Sequence, residues 1–465
     1  MHCGSCSPFD SSTRAKGDFR QLPLPLPGFL TSLSHRDMAC RILTEKTMYR
    51  FLRHRRAVLC ALLAMALSSV LVCAKDAAEG DWSAADSART ADEVATMLRR
   101  HFAHRQALSG VDLEQALAQY RMQAAATAER AAFSALTTRF VASLRNGHTF
   151  FRDPARERDD PGHLGLRLRH LDGQWVVAGS RRAEVPAGSV VEAIDAQPFE
   201  AFFQSRAGFL SASDESALRD ALSFDASLFP LRFDLRLGDG TQVRIDRTLA
   251  LTSPARTEPP PVEARWIEPG RIAYLRIGRF DRPEYESQAR DAVTGAYRDA
   301  AVWVIDVRGN PGGTTPSRLG RALLGEDWVS WRTSPPRDAT RLAATPAAPE
   351  SARALKYLLL IDHGCGSACE DFAMPFGLSA RALVIGQTTW GSSGQPKIKT
   401  WDNGMTLWVS SRRQWFPDGR EFEGVGVTPD LALPLHREDF ITGAPDRTLA
   451  CALRIARAPD LRDCG

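Results

Sequence analysis

"KYLLLIDHGCGSACEDFAMPFGLSARALVIGQ", residues 356–387, decides the fold class. The run "YLLLI" is apolar at every position and has the length of a buried strand. A glycine-bearing turn follows, "GSACEDFAMPFGLS" reads as a helix, and "ALVIGQ" returns to strand. Strands that are apolar on both faces need a covering layer on each side, which is the parallel α/β arrangement. The same alternation extends upstream. "RIAYLRIGRF" (271–280) is a strand, "PEYESQARDAVTGAYRDA" (283–300) a helix, "AVWVIDVRG" (301–309) a buried strand and "PSRLGRALLG" (316–325) a helix. Downstream, "TLWVSSRRQWF" (406–416) is expected to close the series as a further strand. Residues 264–435 therefore read as an α/β core.

The chain ahead of this core changes character twice, as its 465 residues allow. Residues 75–158 predict a helical segment. "ADEVATMLRRHFAH" and "AERAAFSALTTRFVASLR" space apolar residues by three and four, and "NGHTFFRDP" (146–154) then breaks the pattern. Residues 159–253 predict a small β-rich module with one or two helices. Short alternating runs are split there by Asp-Gly turns in "RHLDGQW" and "RLGDGTQ". Residues 254–263, with Pro254 and Pro259 to Pro261, form a stiff linker. Residues 436–465 are read as a C-terminal tail.

Charge excludes one class of partner. The chain has 59 Lys/Arg and 55 Asp/Glu, but residues 1–74 hold 10 and 4 of them, leaving 49 and 51. A near-neutral remainder is no footprint for nucleic acid. The basic front end reads as an export signal. Arg50, Arg53, Arg55 and Arg56 precede an apolar stretch from Ala57 to Val72, and Val72-Cys73-Ala74 fits a cleavage site. Residues 1–47 are then an over-extended start ahead of an initiator at Met48. A periplasmic or secreted location is expected, with membrane contact only through an uncleaved signal. Of nine cysteines, Cys365, Cys369, Cys451 and Cys464 lie beyond that signal. Cys451 with Cys464 is the favoured bridge in an oxidising compartment, the alternative being four free thiols. His363, Cys365 and Cys369 offer only three ligands at loose spacing, so no metal or organic cofactor is expected.

Ligands of open α/β sheets lie beyond the carboxyl ends of the strands. Two glycine-bearing turns end strands here. One presents Ser367 at a helix start, where unpaired N–H groups favour developing negative charge. The other, in "VIDVRGNPGG" (304–313), carries Gly309, Gly312 and Gly313, whose N–H groups could join that of Ala368 in an oxyanion hole. A serine nucleophile needs a base. His148 sits in a turn that presents an imidazole rather than packing it. His363 is nearer in sequence, but its tight turn aims it away from the hydroxyl. Lys397 and Lys399 are the rival bases.

In this order, "VIDVRGNPGG", "GSACEDFA", "VIGQTTWGSSG" and "PDGREFEGVGVTPD" resemble the serine peptidases that include C-terminal processing (tail-specific) proteases and the tricorn core. The resemblance implies a crotonase-like ββα core behind a helical segment and a PDZ-like module, to which "AGSVVEAIDAQPFE" is similar. It implies Ser367 as the nucleophile. The processing-protease branch places a lysine where this chain has Ser392. The tricorn-like branch draws a histidine from a turn that "LRNGHT" resembles, supplying His148, and a glutamate that "FEGVGVTPD" supplies as Glu423. In tricorn a serine just before the histidine links it to that glutamate, and here Gly147 stands there. The implied function is an exported serine endopeptidase with a Ser367–His148–Glu423 set and Gly312, Gly313 and Ala368 at the oxyanion hole. Peptides, unfolded proteins or C-terminal tails are the implied substrates. The alternative is a non-catalytic peptide- or ligand-binding member of the superfamily.

Overall fold

Caps and apolar spacing explain the helices that open the described chain. In the computed structural model, residues 82–105, 108, 110, 112–158, 162–251, 260–334, 354–459 and 464 are described. The expected signal and start site, and most of the proline-rich linker, lie outside them. Helix α1 (Ala84–His101) begins at Ser83 with a capping box to Asp86, and Asp112 caps α2 (Leu113–Ala125) by accepting from the Glu114 and Gln115 N–H groups. With α3 (Arg130–Ala142) they bury Val94, Leu98, Leu117, Tyr120, Phe133 and Val141 in one cluster. The turn after α3 carries Asn146, Gly147 and His148 into β1 (Phe150–Arg152).

The β-rich module forms as the alternation predicts. Strands β2 (Leu166–Leu171), β3 (Gln174–Ser180) and β4 (Val190–Ile194) precede helices α4 (Phe199–Arg206) and α5 (Glu215–Ala221). Strands β5 (Arg232–Leu237) and β6 (Gln242–Asp246) complete an antiparallel sheet of order β2-β3-β4-β5-β6. Asp172 and Gly173 both have positive φ in the β2–β3 turn, as a two-residue hairpin requires.

The core sheet begins two residues before the expected boundary, with β7 (Val262–Glu268), and continues through β8 (Ile272–Ile277). Next come α6 (Pro283–Thr294), β9 (Val302–Asp306), α7 (Ser317–Leu324) and β10 (Arg332–Ser334). Then β11 (Tyr357–Ile361), α8 (Ala368–Leu378) and β12 (Ala382–Gly386) follow the alternation read from the sequence. After them lie β13 (Lys397–Thr400), β14 (Thr406–Val409), β15 (Arg413–Trp415), β16 (Leu431–Ala432) and α9 (Arg447–Arg457). The sheet order is β16-β12-β11-β9-β8-β7, parallel except for the β7–β8 pair. Strand residues alternate between two apolar layers. Leu275, Trp303, Ile305, Leu359 and Val384 pack with α6, α7 and α8, while Tyr274, Val304, Leu358, Leu360 and Ile385 pack with α9.

One expectation is corrected. "TLWVSSRRQWF" is not one strand of the core sheet. It divides into β14, which joins β1 and β13 in a separate three-stranded sheet, and β15, which pairs with β10. The physical reason lies in its alternation. β14 buries only every second residue, Leu407 and Val409, against the N-terminal helices, whereas β9 and β11 are buried throughout. The C-terminal tail carries a helix that packs on the core. Helix α9 buries Cys451, Ala452, Ile455 and Ala456 on the second face of the sheet, and Cys451 is bridged to Cys464 as expected.

Candidate active site

The parallel order β12-β11-β9 sets three strand-end loops side by side. Asp362, after β11, ties two of them by accepting from the Gly309 N–H at 2.7 Å and the Gly364 N–H at 2.9 Å. Ser367 ends this turn with φ 54° and ψ −120°, a left-handed conformation that costs a non-glycine residue about 1–3 kcal/mol. Glu370 holds it there. This fully buried carboxylate accepts from the Ser367 N–H (2.9 Å), the Thr389 hydroxyl (2.6 Å), and the Gly391 (2.6 Å) and Ser392 (3.2 Å) N–H groups. Burial raises its pKa well above the usual carboxylate range, against the pull of those donors. A Cys365–Cys369 disulfide, with Cα atoms 5.4 Å apart, brackets Ser367 from both sides. The sequence leaves this pair open among three possible pairings, free thiols and metal ligands, and here each sulfur is committed to the other.

His148 reaches this turn from the loop after α3. Its Nε2 lies 3.1 Å from Ser367 Oγ, and its Nδ1 lies 2.9 Å from Ser392 Oγ. The Ser392 hydroxyl is in turn 2.9 Å from Glu423 Oε1. That oxygen also accepts from Asn146 Nδ2 at 2.6 Å and from the Ser213 hydroxyl. The directions are determined. Asn146 Oδ1 accepts from the His148 N–H and the Thr149 hydroxyl, so its amide nitrogen faces Glu423. Ser392 donates to Glu423 and accepts from His148 Nδ1–H, which leaves Nε2 bare toward Ser367. Burial lowers the His148 pKa to about 4, so the imidazole is neutral at pH 7, and burial pushes the Glu423 carboxyl up to about 7.

The oxyanion side differs in one respect from expectation. The Gly312 N–H donates to Asn310 Oδ1 at 2.8 Å, which withdraws it from the oxyanion. Gly312 instead permits close approach, since a Cβ there would stand 2.8 Å from both Ala368 N and Ser367 Cβ. Among the described hydrogen bonds, none engages the Ala368 or the Gly313 N–H. The rival bases are elsewhere. Lys399 Nζ pairs with Glu93 of α1 at 2.8 Å, and His363 Nε2 faces Asp220 at 3.7 Å.

With this geometry in place, residues 271–433 match the family model described as Peptidase family S41. The core is a peptidase S41 domain. Over 180 residues the chain is 22% identical to a "Probable CtpA-like serine protease" of Staphylococcus epidermidis, covering 38% of this chain and 36% of that protein. It is 27% identical over 288 residues to "Carboxyl-terminal-processing peptidase 2, chloroplastic" of Arabidopsis thaliana, covering 59% and 52%. The chain thus spans about a third to a half of the length of these relatives. In structure it resembles mature CPAF with a TM-score of 0.59 at 13% identity, covering 81% of this chain and 98% of that one. That likeness extends beyond the S41 domain to most of the described fold.

Within the S41 site, sequence reading named Ser367, His148 and Glu423, and the fold brings all three together. It missed Ser392 and Ser213 as links, Glu370 and Asn310 as braces, and Trp390. The Trp390 ring lies 6.3 Å from that of His148, and a Cβ at Gly366 would strike it at 2.6 Å. One signal was available. The resemblance sets Ser392 where the processing-protease branch carries a lysine, which marks 392 as a position facing Ser367.

Proposed function

We propose that this chain is an exported serine endopeptidase in which Ser367 is the nucleophile and His148 the base. The observation that carries the reading is the unbroken run Ser367 Oγ, His148 Nε2, His148 Nδ1, Ser392 Oγ, Glu423 Oε1, with every contact at 3.1 Å or less. Ser367 Oγ attacks the scissile carbonyl carbon while its proton passes to Nε2. The carbonyl oxygen becomes an oxyanion, held by the Ala368 N–H at the positive end of α8 and by the Gly313 N–H. His148 returns the proton to the leaving nitrogen, the C–N bond breaks, and an acyl-Ser367 remains. A water then gives its proton to Nε2 and attacks the acyl carbon; Nε2 returns that proton to Ser367 Oγ as the acyl C–O bond breaks, releasing the new carboxylic acid. Glu423, through Ser392, stabilises the imidazolium formed in both halves.

Several observations support the finer assignments. The β2–β6 sheet with α5 against β2 supports a PDZ-like module for peptides or C-terminal tails. Two disulfides support an oxidising, exported setting. A fluorophosphonate probe tests the reading. Wild type should be labelled at Ser367 and cleave an unfolded polypeptide, Ser367→Ala should do neither, and His148→Ala should lose about 10³-fold or more in kcat. A folded wild type that takes no label would favour the non-catalytic binder.

A further inference from the structure

We infer that Ser213, which belongs to the β-rich module rather than the S41 domain, is a positioning residue of the hydrolytic relay. The inference rests on the peptidase reading and adds to it a role for the module. Ser213 lies between the module's two helices, one residue before Asp214, which caps α5 by accepting from the Ser216 and Ala217 N–H groups. Its hydroxyl accepts from the Gly147 N–H at 2.9 Å. A backbone N–H can only donate, so the single Ser213 proton is directed to Glu423 Oε1. One hydroxyl therefore joins the backbone beside His148 to the carboxylate that His148 needs. The Ser213 carbonyl is packed equally closely, since a Cβ at Gly424 would meet it at 2.9 Å. Ser213 is thus wedged between the turn that carries His148 and the turn that carries Glu423.

The consequence is that seating of the module orders the relay. Without the Ser213 hydroxyl, Glu423 loses a donor that favours its ionised form, and the Gly147 N–H loses its acceptor. The other groups around Glu423 are Asn146 and His148 of the α3–β1 turn, Ser392, the Ser393 backbone N–H, Arg413 of β15 and Glu370 of α8. Arg145, His104 and Glu421 line a cavity of about 410 Å³ with it. Of these charged and titratable groups, only Glu423 is touched by Ser213 among the described contacts.

Two readouts test the assignment on the full chain. In Ser213→Ala, kcat should fall about 10-fold with KM nearly unchanged, and the acid limb of kcat/KM should move up by about 1 pH unit. Ser213→Thr, which keeps the hydroxyl, should restore both. The second readout needs no turnover: the Glu423 carboxyl carbon, followed by NMR against pH, should titrate about 1 unit higher in Ser213→Ala. An unmoved Glu423 titration in folded Ser213→Ala overturns the inference whether or not the protein cleaves peptides. A fall in kcat without movement of the pH limb also overturns it, by showing a merely structural role. Absent probe labelling of the wild type counts against the peptidase reading instead.

Discussion

Gly147 and Ser392 compete for one space. A Cβ at Gly147 would stand 2.8 Å from Ser392 Oγ and 3.0 Å from Ser392 Cβ. The two positions therefore cannot both carry a side chain without a shift, and this chain places a hydroxyl at 392, between His148 and Glu423. Ser392→Ala should leave the fold intact and lower kcat about 10²-fold, because neutral His148 loses its link to Glu423. Gly147→Ser alone should be worse, since it forces Ser392 away while keeping its bulk. Combining Gly147→Ser with Ser392→Gly should recover most of the activity lost in either single variant. Kinetics of Gly147→Ser, Ser392→Gly and the pair measure that coupling, and an additive loss in the pair would show that the two positions are not interchangeable. Ser392 was hidden from sequence reading for a physical reason. Its partner His148 is 244 residues away, and a serine in a polar loop has no periodicity that reveals a partner.

At the scale of elements, legibility followed burial pattern. β9 and β11, apolar at every position, and α8, announced by Ser367 and Glu370, are decided by residues within one element, and they stand where the sequence put them. β14 is decided by what it packs against. Its partner β1 is some 250 residues earlier in the chain, so its alternation was legible while its sheet was not. The start of α8 shows what such local patterning omits. A strained Ser367 is held by Glu370 and by the Cys365–Cys369 bridge, none of which periodicity reports. The strain has a measurable consequence. Ser367→Ala keeps a Cβ at φ 54°, whereas Ser367→Gly relieves it, so the glycine variant should be the more stable by about 1 kcal/mol although both are inactive. Thermal unfolding of the two decides this, and an equal or higher Tm for Ser367→Ala would mean the turn stores no strain.

For the whole molecule, the site depends on how three regions of chain meet: the helical segment gives His148, the module Ser213, and the core Ser367, Ser392 and Glu423. Composition and pattern located the regions but not their joints. At one joint, the Ala103 N–H donates to the Ser410 carbonyl at 3.0 Å, and His104 Nε2 lies 3.0 Å from Ser410 Oγ and 3.2 Å from the Arg412 carbonyl. A carbonyl only accepts, so Nε2 carries the proton. His104 is 4% exposed, and burial lowers its pKa from 6.5 to about 4. The unfolded chain therefore binds a proton at His104 before the folded one does. The contribution of this group is present in full above pH 6.5 and is lost as pH falls toward 4, by about 3 kcal/mol in all. Glu423, with its carboxyl raised to about 7, acts in the opposite sense, since the folded state takes up its proton first. Wild-type unfolding alone would mix these effects with that of His148, whose pKa burial also lowers to about 4, so the comparison that isolates His104 is with His104→Gln, which can still donate to the Arg412 carbonyl. Between pH 7 and pH 5 the wild type should lose roughly 2 kcal/mol more than the variant. Parallel stability curves for the two proteins would mean that protonation of His104 does not open this joint, and acid sensitivity of the assembly would then have to reside in His148.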